Sequence, residues 1–68
     1  MSIELNGKPA IRIIARYIRS YRRKGKVSLL FDCEGDEVWF PNEFVKDEGQ
    51  TILIEEWLHS AKVSKGEL

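Results

Sequence analysis

The chain predicts a mainly β domain: a small bent sheet or half-barrel of four or five strands, closed by a C-terminal helix. Three observations support this. Short apolar runs alternate with polar residues at period two from Val27 to Phe40. Turn-forming stretches such as Asn6-Gly7 and Glu34-Gly35-Asp36 separate those runs. Apolar residues at helical spacing close the chain: Ile54, Trp57, Leu58 and Ala61.

In order, Ile3 to Leu5 is a short apolar stretch, ended by the Asn6-Gly7 turn, whose residues both tolerate positive φ. Residues 10–22 support two readings. Ile11, Ile14, Tyr17, Ile18 and Tyr21 recur at spacings of three and four, with Pro9 suited to a first helical turn and Gly25 to a stop. An α+β arrangement with residues 9–23 helical follows from that pattern. Ile11, Ile13, Ala15 and Tyr17 also alternate with Arg12, Ile14, Arg16 and Ile18, and isoleucine and tyrosine favour strands. Pattern alone favours the helix by a small margin.

Residues 22–26, Arg-Arg-Lys-Gly-Lys, form a basic turn. Val27 to Cys33 follows as a strand, with Val27, Leu29, Phe31 and Cys33 on one face and Ser28, Leu30 and Asp32 on the other. Glu34-Gly35-Asp36 turns the chain, and Glu37 to Phe40 returns as the second arm of a hairpin. Pro41 ends that arm, because proline cannot donate to a central ladder. After Phe44-Val45 and the polar turn 46–50, Thr51 to Ile54 is a β-rich run. A short helix follows from Glu55. Its acids suit the positive N-terminal end, Lys62 and Lys65 suit the other end, and Gly66 marks the stop. Trp57 is expected in the core. An SH3-like or OB-like half-barrel accommodates this order of elements.

Residues 29–58 carry a resemblance. Leu29-Leu30-Phe31 leads into an acidic glycine turn and Val38-Trp39-Phe40-Pro41-Asn42-Glu43-Phe44-Val45. A second acidic turn precedes Thr51-Ile52-Leu53-Ile54-Glu55-Glu56-Trp57-Leu58. This resembles a group of short phage and bacterial proteins of unknown function. They share a strand, an acidic turn, a V-W-[aliphatic]-P-K-S-Q-[aliphatic] step, a β run and a W-L helix start. Asn42-Glu43-Phe44 stands here in place of their Lys-Ser-Gln. The resemblance implies a small, mostly β domain without enzymatic activity. It favours strand over helix for residues 10–22.

With 68 residues, the chain is expected to form a single domain with one core, too small to enclose a deep substrate cavity. Hydrophobic residues make up 43%, which excludes disorder by composition. One cysteine, Cys33, precludes an internal disulfide. No apolar run is long enough for a membrane helix, and Met1 to Leu5 does not have the pattern of a secretory leader. The expected setting is a soluble protein in a reducing cytoplasm, with a buried, inert Cys33.

The formal net charge of zero conceals a division. Residues 1–26 hold eight cations against Glu4 alone, a net +7. Residues 27–68 hold three lysines against ten acids, a net −7. The candidate nucleic-acid-binding set is Arg12, Arg16, Arg19, Tyr21, Arg22, Arg23, Lys24, Lys26 and Trp39. Such cations track a phosphate backbone and release its counterions. Tyr17, Tyr21 and Trp39 offer rings on which unpaired bases stack. The opposing reading pairs these cations with the ten acids of the same chain. A third is an acidic protein partner or a homo-oligomer, since +7 and −7 segments of two copies also match. Leu30 and Trp39 share the face opposite Val38 and Phe40, which is either covered by structure or left as a docking patch.

Asp32, Cys33, Glu34, Asp36, Glu37 and His59 do not match the twelve-residue calcium-loop pattern. One His and one Cys give no basis for a catalytic set. The expectation is a non-enzymatic domain with no catalytic residue, metal, cofactor or small-molecule substrate.

Overall fold

A computed structural model describes residues 3–68. The fold is mainly β, with seven strands in two sheets and one C-terminal helix. The strands are β1 (Glu4–Leu5), β2 (Lys8–Ile14), β3 (Arg16–Arg23), β4 (Lys26–Cys33), β5 (Asp36–Pro41), β6 (Val45–Asp47) and β7 (Thr51–Glu55). The helix α1 is Glu56–Ser64, and a 3-10 turn, Asn42–Phe44, lies between β5 and β6. The first sheet has the order β1-β2-β7-β6 and the second β3-β4-β5. Seven strands replace the expected four or five because the long N-terminal strand is divided and two very short strands, β1 and β6, add edges.

The segment 10–22 is strand, not helix. Its tyrosines and isoleucines gain more from cross-strand neighbours than an isolated helix of this length gains from its own hydrogen bonds. It divides at Ala15, which is fully buried and donates its N–H to the Gln50 carbonyl at 3.2 Å. Before Ala15 the chain pairs with β7, with Ile13 opposite Ile52. After it the chain pairs with β4.

Three turns are two-residue hairpins with both central residues at positive φ: Asn6-Gly7, Lys24-Gly25 and Glu34-Gly35. Their handedness matches the twist of the flanking strands. At Gly35, φ is +101°, a region that side-chain-bearing residues rarely occupy. The turn is braced by the Asp32 carboxylate, which accepts from the Gly35 N–H at 2.8 Å.

The core lies between the sheets. Phe31, Cys33, Val38 and Phe40 from the second sheet meet Val45, Ile52 and Ile54 from the first, with Ala15 at the corner and Leu58 from α1. Phe31 and Phe40 meet edge to face, their ring centres 6.0 Å apart. The helix starts one residue later than expected, because Glu55 is the last strand residue and sits at the N-cap position without a side-chain capping bond. Leu58 is the helix's buried anchor. Trp57, expected in the core, is 48% exposed. It stacks edge to face on Phe44 at 5.1 Å, and its indole N–H donates to Glu55 at 2.7 Å. Helical spacing could not distinguish the two, since Trp57 and Leu58 lie on the same apolar face and packing buries only Leu58.

Glu55 is the one buried charged residue among those described, at 1% exposure. Its carboxylate accepts from Asn6 Nδ2 at 2.8 Å and from Trp57 Nε1 at 2.7 Å. The same Asn6 nitrogen donates to the Glu43 carbonyl at 2.7 Å. One turn residue thereby ties the β1–β2 hairpin to the 3-10 turn and to the start of α1. These donors favour the charged form and hold the Glu55 carboxyl below its ordinary range.

Candidate nucleic-acid interface

The second sheet has two faces of opposite character. Tyr17, Phe31 and Val38 form one row across it, on the core side. Alternation places Asp32, Leu30 and Ser28 of β4 on the outer side. Three cross-strand rows follow there: Arg16–Asp32–Glu37, Arg19–Leu30–Trp39 and Tyr21–Ser28–Pro41. Arg23 and Lys26 pair at the hairpin end, with Lys24 in the turn.

This arrangement depends on a bulge. The register of β3 slips by one residue between Tyr17 and Arg19. Strict alternation would put Arg19, Tyr21 and Arg23 on the same side as Tyr17, facing the core. The extra residue, Ile18, turns all three outward, as bulges re-aim side chains. Tyr17 itself stays on the core side, packed edge to face on Phe31 at 6.0 Å.

The outer face is floored by an apolar side chain. Leu30 is only 3% exposed although it points away from the core. Its ladder neighbours are Arg19 and Trp39. The Arg19 guanidinium carbon lies 5.9 Å from the centre of the Trp39 ring, a cation–π arrangement. Trp39 nevertheless remains 39% exposed, and every residue of β3 is exposed. Leu58 of α1 joins the core cluster. At the hairpin end, Tyr21, Arg23, Lys24, Lys26 and Ser28 line a shallow basic cleft of about 440 Å³.

Of the nine residues expected to bind, seven gather here: Arg16, Arg19, Tyr21, Arg23, Lys24, Lys26 and Trp39. Two do not. Arg12 lies on the first sheet, where its guanidinium grips the Glu48 carboxylate at 2.8 and 3.3 Å. Thr51 Oγ1 also donates to Glu48, at 3.1 Å. This pairing raises the Arg12 pKa and lowers that of Glu48. Arg22 stands opposite Val27 and therefore on the reverse side of the strand.

The reading in which the halves neutralise each other is met in only one place. Among the described residues the ion pairs are Arg12–Glu48 and Lys62–Glu67. Only the first joins the basic segment to the acidic one. Arg16, with Asp32 and Glu37 in its row, is the cation of the outer face with the most acidic surroundings.

The acids of the β4–β5 turn surround Cys33 instead. Burial, then Asp32, Asp36 and Glu34, push its thiol pKa up. The thiol therefore stays protonated and weakly nucleophilic. An open cleft of about 480 Å³ borders it, lined by Ile13, Ile14, Glu34, Asp36, His59 and Leu68.

Comparison of the chain with family models, curated proteins and solved structures gives no match.

Proposed function

We propose that this chain is a non-enzymatic β domain that binds single-stranded DNA or RNA across the outer face of β3, β4 and β5. One observation carries the reading. The bulge at Ile18 brings Arg19, Tyr21 and Arg23 onto the same face as Lys26 and exposed Trp39, with no acid in ion-pair contact among the described residues. Cations at the hairpin end suit phosphates, and Tyr21 and Trp39 suit base stacking, which contributes about 1–3 kcal/mol per base. An exposed face offering rings rather than a protruding helix favours unpaired bases over a duplex groove.

The test is titration of labelled oligonucleotides, followed by fluorescence anisotropy, at low and at physiological salt. Binding of single strands is expected at micromolar protein, weakening steeply with salt. Trp39→Ala is expected to weaken it about tenfold, from the loss of one stacked base. Absence of binding at low salt overturns the proposal. Equal affinity for polyglutamate reassigns the face to an acidic protein.

A further inference from the structure

The second sheet has two open edges. β3 and β5 each pair on one side only, with β4. No backbone hydrogen bond reaches the other side of either strand among the described residues. Open edges expose rows of N–H and C=O groups that template pairing with another chain. The two edges carry opposite charge. β3 presents Arg16, Arg19, Arg22 and Arg23, whereas β5 begins with Asp36 and Glu37.

We infer that copies of this chain join head to tail, with β3 of one molecule adding to β5 of the next. The strands run in the same direction within one molecule, since each is antiparallel to β4. A copy that continues the sheet therefore places β3 parallel to its neighbour's β5. In unstaggered register, the rows already present extend across the junction. Glu37 of one molecule falls beside Arg16 of the next, and Trp39 beside Arg19. The acids that flank Arg16 then have a partner, and the Arg19–Trp39 stacking seen within one molecule recurs between two.

Charge selects this pairing over its rival. A symmetric β3–β3 junction sets four arginines of one copy against four of the other, and like charges on adjacent strands repel. The formal net charge of zero means that whole molecules do not repel as they approach. A head-to-tail interface leaves an unused β3 at one end and an unused β5 at the other, so growth continues to a ring or an open array.

The test is sedimentation of the full chain, free of nucleic acid, from micromolar to millimolar concentration. Species larger than a dimer are expected, weakened by salt. Two charge-reversed variants discriminate the geometry. Asp36→Lys with Glu37→Lys makes both edges basic; Arg16→Glu with Arg19→Glu makes acidic the part of β3 that meets Glu37 and Trp39, although Arg22 and Arg23 remain. Each alone is expected to associate at least tenfold more weakly. An equimolar mixture is expected to recover assembly, because each junction again joins unlike charges. Circular dichroism establishes that both variants fold. A strict monomer, a species that stops at two, or a mixture no better than its components overturns the inference. None of these outcomes bears on oligonucleotide binding, which is measured separately.

Discussion

At the residue scale, Glu55 is buried and held charged by Asn6 and Trp57. Its pKa is lowered by folding. The sign follows from linkage: its stabilisation is fully present above the ordinary carboxylate value near 4.5 and is lost as pH falls through the lower folded value. Thermal unfolding from pH 7 to pH 3 is therefore expected to show declining stability at the acid end. Glu55→Gln should lower the midpoint at pH 7 and flatten that decline. Glu48 contributes in the same direction through Arg12, so part of the slope survives. A slope unchanged in Glu55→Gln removes Glu55 from the account. Phe31 is the other residue on which much rests. It is fully buried and touches both Tyr17 and Phe40. Phe31→Ala is expected to cost about 3–5 kcal/mol. For a domain of this size that is comparable with the whole stability, and denaturant titration would show it largely unfolded.

At the element scale, the β4–β5 hairpin was legible in the sequence. Alternation in Val27–Cys33 and Val38–Phe40 and the acidic glycine turn specify its arms and set Trp39 opposite Val38 and Phe40, but the turn is two residues rather than the expected three, so Cys33 pairs with Asp36. Gly35 at φ +101° sets the turn. A Cβ there meets no atom within 4 Å, so the cost of Gly35→Ala is backbone strain alone. It is expected to destabilise by about 1 kcal/mol or somewhat more, read as a lower denaturant midpoint at unchanged slope. β3 was not legible to the same degree. Its residues satisfy helical and strand periodicity together, and all of them are exposed. Its one aromatic contact with the core, Tyr17 on Phe31, comes from a distant part of the chain and leaves no periodic signal in the sequence. The bulge at Ile18 leaves no composition signal, yet it decides which face Arg19, Tyr21 and Arg23 occupy.

At the scale of the whole molecule, the chain folds to a radius of gyration of 11.4 Å, close to the roughly 11 Å expected for a compact chain of this length. The charge division survives folding. Only Arg12–Glu48 bridges the basic and acidic segments among the described residues. The outer face therefore keeps Arg16, Arg19, Arg23, Lys24 and Lys26 available. If all five meet phosphates of a single strand, the logarithm of the binding constant should fall with the logarithm of salt at a slope of about −3.5. Replacing Arg23 and Lys26 by alanine should reduce that slope by about 1.4, uniformly across sequences. Arg12→Ala should leave it unchanged, since Arg12 is spent on Glu48 in the other sheet.

Period and punctuation were enough to determine the β4–β5 hairpin and a closing helix, because these follow from interactions between near neighbours. The same signals left β3 undecided, placed Trp57 inward and treated nine binding residues as one set. Those questions turn on contacts between residues far apart in the chain. Ala15 meets Gln50 and divides one strand between two sheets. Glu48 captures Arg12. Phe44 packs against Trp57, which stays half exposed. Only the packed molecule brings such groups within hydrogen-bonding and van der Waals range, so only the tertiary structure decides which of the +7 charges are used internally and which face solvent.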